Sequence, residues 1–259
     1  MSIEQESSDS FSRTVVFNRT ERLVGETAMA ALSRARVIIF GVGGVGSWTA
    51  EALARTGVGH LTIVDADRVS PTNINRQAEA NVATVGEVKV DAMKRQLLAV
   101  APGIEVTALE KEYTSLTAAD FDLEEFDFVI DAIDSLAAKA LLLRNATAAR
   151  HPVVLSSMGA ALKIDPTKIS VAEFWKVQGC PLAASLRRKF KKSGEFPKRK
   201  FKCVYSPELL TNQGGALEED MAMSFNKVAV NGSLCHITAI FGMTLAGLVV
   251  EQIVKAAQG

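Results

Sequence analysis

Along the first 160 residues, short β-branched runs alternate with stretches whose apolar positions recur every three or four residues. Residues 37–40, 61–64, 104–109, 128–132 and 153–156 read as buried strands; 22–32, 45–56, 85–100 and 139–150 read as helices. Gly57 and Gly59 stop the second helix, and Pro102 follows the third. This alternation predicts an α/β fold, a Rossmann-like, doubly wound, mostly parallel sheet with helices on both faces. After Gly159 the rhythm changes. Residues 164–173 suggest a strand or hairpin piece, then comes a basic loop containing glycine and proline, and a last helix starts near 234. The chain is expected to be a single domain over 1–259, with one half at about 22–157 and a second at about 158–259 packed on it. Residues 237–250 are strongly apolar, yet His236 and Glu251 flank them and Gly242 and Gly247 interrupt them. A membrane span needs roughly 20 apolar residues, so a buried helix is expected; weak membrane association stays open.

Charge changes this picture only locally. With 29 basic and 29 acidic residues the chain is formally neutral. Between residues 187 and 202, however, Arg187, Arg188, Lys189, Lys191, Lys192, Lys198, Arg199, Lys200 and Lys202 face Glu195 alone. Two readings stand level: a solvated loop, or a surface for a phosphate-rich partner. Cys180, Cys203 and Cys235 are widely spaced and form no CxxC pair, which excludes a four-cysteine zinc site and suits a reducing cytoplasm. The N-terminal MSIEQESSDSFSRT is polar and acidic, with no signal-peptide core. His60, His151 and His236 lack partner spacing for a metal or a triad and read as structural.

The chemistry gathers in one stretch. Gly41, Gly43, Gly44 and Gly46 form GVGGVG directly after a strand and before a helix, where glycines permit a tight turn and a helix N-terminus attracts phosphate. Ser47 reads most simply as a helix cap. Asp65 ends the next strand, where a carboxylate accepts from ribose hydroxyls, and Asp67 is a secondary candidate two residues on. Asn73, Asn75, Arg76 and Gln77 follow in TNINRQ. A dinucleotide site needs no such cluster there; a triphosphate, with charge to neutralise and pyrophosphate to stabilise as it leaves, does. Lys89 can reach the same phosphates as a point charge. Asp134, in VIDAIDS, falls past the fourth strand, where a carboxylate can hold Mg²⁺ and Asp131 can orient it; helix capping by Asp134 or Ser135 is the plainer alternative.

With these residues the chain resembles the ubiquitin-activating, E1-like adenylating superfamily that includes the ThiF and MoeB adenylyltransferases. Within it, GVGGVGSWTAEALARTGVG, TNINRQ, DAIDSLAAKALL, KIDPTKI, PLAASLRRK and CVYSPE look like the tRNA threonylcarbamoyladenosine dehydratases. The resemblance implies ATP as co-substrate, with Asp65 on the ribose, Asn73, Arg76 and Lys89 on the phosphates, and Asp134 on the metal. It implies a homodimer in which an arginine of RTER, Arg22 first and Arg19 second, reaches the neighbour's triphosphate. The implied reaction adenylates the carboxylate of t6A at position 37 of ANN-decoding tRNAs and cyclises it to ct6A. The implied tRNA surface holds Arg187, Arg188, Lys189, Lys198, Arg199 and Lys200. A monovalent cation (Na⁺ or K⁺) and a cysteine desulfurase or sulfur-acceptor system are further expectations of the same kind. SSMGAAL departs from the glycine-rich stretch usual after the last strand, and Cys203 is the cysteine lying within a matching motif.

Three other readings compete. An adenylyltransferase for the C-terminus of a ubiquitin-like sulfur carrier would need a groove for a Gly-Gly tail. An NAD(P)-dependent oxidoreductase rests only on the glycine turn and Asp65. A non-catalytic scaffold leaves the triphosphate cluster unexplained.

Overall fold

The computed structural model describes residues 12–215 and 231–259; residues 1–11 of the polar, acidic N-terminal stretch lie outside this description. Its strands are β1 (Arg36–Phe40), β2 (His60–Val64), β3 (Glu105–Leu109), β4 (Phe128–Asp131), β5 (Val153–Ser157), β6 (Ser170–Glu173) and β7 (Lys202–Tyr205). Its helices are α1 (Arg13–Val16), α2 (Asn18–Val24), α3 (Glu26–Arg34), α4 (Gly46–Thr56), α5 (Lys89–Val100), α6 (Leu136–Ala148), α7 (Pro181–Ser193) and α8 (Cys235–Gln258). The strands form one sheet in the order β3-β2-β1-β4-β5-β7-β6, parallel throughout except for the β6–β7 pair. This is the doubly wound α/β arrangement that the alternating pattern predicts.

A strand buried on both faces needs apolar residues at every position, and β1 has them. Val37 and Ile39 enter the core formed with α4, α5 and α8; Ile38 and Phe40 enter the core shared with α6 and α7. Each such side chain contributes about 1.5–3 kcal/mol on burial. Since β1 leads to β2 on one side and neighbours β4 on the other, the strand order reverses beside it. Open sheets bind ligands at the carboxyl edge of that reversal.

The structure corrects the pattern in four places. The expected helix over 22–32 is broken at Gly25, whose φ of +85° separates α2 from α3. The helix expected from 85 starts at Lys89, because Val85 and Gly86 (φ +90°) belong to a turn and Val88 is held extended in a bridge with Arg68. The piece read over 164–173 begins as a 3-10 turn at Pro166–Lys168, its start fixed by Thr167 N donating to Asp165 Oδ1 at 2.9 Å; β6 follows. The basic loop is helical as far as Ser193. Pro181 opens α7, and Ala183, Leu186 and Phe190 bury one face beneath the charges. The four-residue β7 was not predicted at all.

Helix α8 is long and apolar enough to cross a membrane by length and composition. In the structure Ile237, Phe241, Leu245, Val249 and Ile253 instead join the core against α4. The crossing is close: a Cβ on Gly242 would lie 2.6 Å from Val45 O and 2.9 Å from Thr49 N, whereas one on Gly247 would meet nothing within 4 Å. Gly242→Ala should therefore destabilise the protein by roughly 1–3 kcal/mol, as overpacking does. Gly247→Ala should leave it unchanged or gain up to about 1 kcal/mol of helix propensity. Thermal melts of both variants check this; equal melting temperatures would show that α8 can slide away at no cost.

Candidate active site

The glycine turn connects β1 to α4 at the carboxyl edge. Gly41 has φ +90°, and a Cβ there would sit 2.7 Å from Ala132 O; one on Gly46 would sit 1.8 Å from Gly41 O. No other residue type fits these two positions. Among the described residues no side chain caps α4; Ser47 N donates to Gly43 O at 3.0 Å, and the positive end of the helix favours an anion. Ser47 is not the cap the sequence suggested. It is fully buried, and its Oγ accepts from Ala78 N at 3.0 Å, tying the helix to the segment after TNINRQ.

Asp65 meets the same turn. Val42 N donates to its Oδ2 at 2.7 Å and Asp67 N to its Oδ1 at 2.9 Å. Both carboxylate oxygens are thereby oriented and keep lone pairs for a diol. TNINRQ folds over α4 as a short 3-10 turn and is held from several sides. Asn73 Oδ1 accepts from Ser70 N at 3.0 Å, Asn75 Nδ2 donates to Ser233 O at 3.0 Å, and Trp48 Nε1 donates to Arg76 O at 3.0 Å. The Arg76 guanidinium is half-buried, donating to Thr72 O and to Asn75 Oδ1, both at 2.8 Å. Gln77 is buried beside Gly43, and its Oε1 has no hydrogen-bond partner among the described residues.

Lys89 opens α5 as a buried side chain whose ammonium pairs with Asp67 at 2.9 Å. Burial alone would lower its pKa, but Asp65, Asp67 and Glu79 outweigh that and hold it above the ordinary lysine value. The Asp67 carboxylate is otherwise exposed. Asp134 lies exposed between β4 and α6, and the Ser135 side chain does not cap α6. Asp131 is fully buried: its Oδ2 accepts from Lys139 Nζ and from Ser156 Oγ, each at 2.6 Å, and its Oδ1 from Ile133 N at 3.2 Å. It anchors the loop carrying Asp134. Sequence reasoning missed both Lys139 and Glu79. The signal for Lys139 was there, a single lysine in the otherwise apolar LAAKALLL.

Other candidates lie elsewhere. Arg19 and Arg22 are exposed on α2, and the Arg22 guanidinium makes no hydrogen bond or ion pair among the described residues. The preceding turn packs at the far end of α4, where Arg13 donates to Gly57 O at 2.8 Å. The basic stretch flanks the C-terminus of α6, the end remote from Asp134. Thirteen residues of helix separate the two, about 20 Å. Arg188, Lys189, Lys198 and Lys200 are exposed there, and Arg187 donates to Phe174 O at 3.2 Å. Arg199 differs from its neighbours. Its guanidinium is spent on the carbonyls of Ala146, Thr147, Ala149, Arg150 and Pro152, closing the end of α6. Cys203 is fully buried, and burial pushes its thiol well above the usual range, which suits packing and not nucleophilic attack.

A glycine turn leading into α4, an oriented carboxylate at the end of β2 and the polar TNINRQ loop gather at the reversal of a doubly wound sheet, the arrangement expected of a nucleotide-binding enzyme of the adenylating kind. The match to a model described as the ThiF family covers residues 17–259, and the chain belongs to that family. It is 43% identical over 178 residues to the tRNA threonylcarbamoyladenosine dehydratase of Bacillus subtilis, covering 69% of this chain and 70% of that one. To the Haemophilus influenzae protein of the same name it is 34% identical over 247 residues, 92% of this chain and 93% of the other. Among solved structures, the E. coli tRNA N6-threonylcarbamoyladenosine dehydratase in complex with ATP superposes with a TM-score of 0.82 at 33% identity, covering 96% of this chain and 98% of that one.

Proposed function

We propose that the chain is an ATP-dependent tRNA threonylcarbamoyladenosine dehydratase, adenylating the carboxylate of t6A and closing it to cyclic t6A. One observation carries this reading. The uncapped α4, Asp65, TNINRQ and Lys89 assemble at one sheet edge, in a chain similar over nearly its whole length to dehydratases of that name.

A carboxylate is a poor electrophile because oxide would have to leave. Attack of its oxygen on the α-phosphate expels pyrophosphate and forms an acyl adenylate. An internal nucleophile of the modified nucleoside then attacks the acyl carbon, and AMP leaves as the ring closes. The protein's contribution is positioning and charge neutralisation. Asp65 holds the ribose, the α4 amides and Gln77 the phosphates, and Arg76 and Lys89 the charge that grows as pyrophosphate departs. Asp134 would hold Mg²⁺, which when bound would supply charge neutralisation for the phosphates. Among the described residues no group of three His, Cys, Asp or Glu side chains is placed to hold a metal.

The reading includes a homodimer, with Arg22 offered to the neighbouring copy, and activity in the cytoplasm. Arg188, Lys189, Lys198 and Lys200 would meet the tRNA body at a distance from the reacting nucleotide, with Arg187 at the margin of that surface. Arg199 leaves this set because its donors are already used. Incubating t6A-containing tRNA with the protein, ATP and Mg²⁺, followed by mass spectrometry of the nucleosides, should show t6A losing one water. Unchanged t6A under conditions where ATP binds would reject the reading. ATP–pyrophosphate exchange stimulated by a small carrier protein, and not by the tRNA, would favour the sulfur-carrier class.

A further inference from the structure

Glu79 follows Gln77 by two residues and is 1% exposed. Among the described residues neither carboxylate oxygen reaches a partner in hydrogen-bond geometry, although its own amide and the Ser47 hydroxyl lie close enough to favour the charged form. Leaving a buried carboxylate unsatisfied is costly, so such a group persists in a native fold for a reason. The fold itself does not use this side chain: what the local turn takes from Glu79 is its main-chain carbonyl, accepting from Thr84 Oγ1 at 2.9 Å, which any residue would supply.

Its surroundings supply the reason. Lys89 from α5 and Asp65 from the end of β2 act on it electrostatically, with Ser47 of α4 nearby, and Asp67 holds the Lys89 ammonium. Three carboxylates thus share one ammonium at the point where a triphosphate must settle. Asp65 is satisfied by two amides and Asp67 faces water, whereas Glu79 is 1% exposed, and its burial outweighs what its own amide, Lys89 and Ser47 offer the charged form. Burial is the leading cause that pushes its carboxyl up to about 7; Asp65 adds to the rise, while its own amide, Lys89 and Ser47 oppose it. Incoming phosphate charge acts in the same direction as Asp65.

We propose that Glu79 is a positioning residue of the nucleotide site, taking up a proton from solvent as the triphosphate arrives and so releasing Lys89 from its carboxylates to the phosphates. The inference rests on the reading of this edge as an ATP site. Glu79 touches no reacting atom; it acts through Lys89.

Calorimetric titration of the whole chain with ATP and Mg²⁺, near pH 8 in two buffers of different ionisation enthalpy, reads the linkage directly. The wild type should take up a substantial fraction of one proton per nucleotide, and its ATP affinity should fall as pH rises, approaching tenfold per unit at the alkaline end. Glu79→Gln, which mimics the neutral acid, should bind ATP without buffer dependence and with an affinity that is flat over the same range. A purely structural role would instead weaken the variant at every pH. Wild-type binding with no proton uptake, or equal uptake in Glu79→Gln, overturns the proposal while leaving the ATP site standing. No ATP binding at all overturns both. The wild-type measurement decides even where the variant does not fold.

Discussion

Arg76→Ala should slow AMP formation by roughly 10²- to 10³-fold, the range found when one preorganised donor to a developing negative charge is lost. The side chain is half-buried beside the glycine turn, and the groups holding it include the Thr72 carbonyl and the Asn75 amide oxygen. Both are neutral acceptors that can be exchanged for phosphate oxygens. The charge it would meet grows as pyrophosphate leaves, so kcat should fall more than KM rises. Stability should change by little, because the main chain of Arg76 does the structural work: its carbonyl accepts from Trp48 Nε1. Steady-state kinetics with t6A tRNA, beside a thermal melt, separate the two effects. Near-normal turnover would refute the role given to Arg76.

Lys139→Met is expected to have the largest effect on stability. Lys139 and Asp131 are both 0% exposed and lie 2.6 Å apart, and Ser156 Oγ completes the cluster at 2.6 Å. Removing the ammonium leaves a carboxylate in the core without its counter-charge, a loss of about 3–5 kcal/mol. At roughly 2–4 °C per kcal/mol for a chain of this size, the melting temperature should drop by on the order of 10 °C. A double replacement, Lys139→Met with Asp131→Asn, should recover much of that, because the cost lies in the unpaired charge more than in the missing pair. A double variant no more stable than Lys139→Met would show that the pair itself supplies the stability.

The strands of the first half were legible because burial on both faces leaves little freedom of residue type, and GVGGVG and TNINRQ were legible because local chemistry restricts them. The polar contacts were not. Asp67 and Lys89 stand 22 residues apart, and Asp131 and Ser156 stand 25 apart; only the Arg68–Val88 bridge and the parallel pairing of β4 with β5 bring them together. The amphipathic face of α7 was hidden because only Ala183, Leu186 and Phe190 define it, and the second half of the helix is mostly cations. A strand as short as β7 carries too few alternations to register. The sequence left the cations near residues 187–202 as either a solvated loop or a surface for a phosphate-rich partner, and it carried no sign that they sit at the C-terminal end of α6, away from Asp134.

The last helix has a consequence for how the protein comes into being. Thr238 Oγ1 reaches Arg76 O at 3.4 Å, Ser233 O receives Asn75, and Gly242 lets α8 lie against α4. Part of the wall of the nucleotide loop therefore comes from residues 158 and 162 positions further along the chain. The strands of the first half can pair before those contacts exist. Competence to bind nucleotide should accordingly lag behind formation of the sheet and follow the docking of α8 on α4.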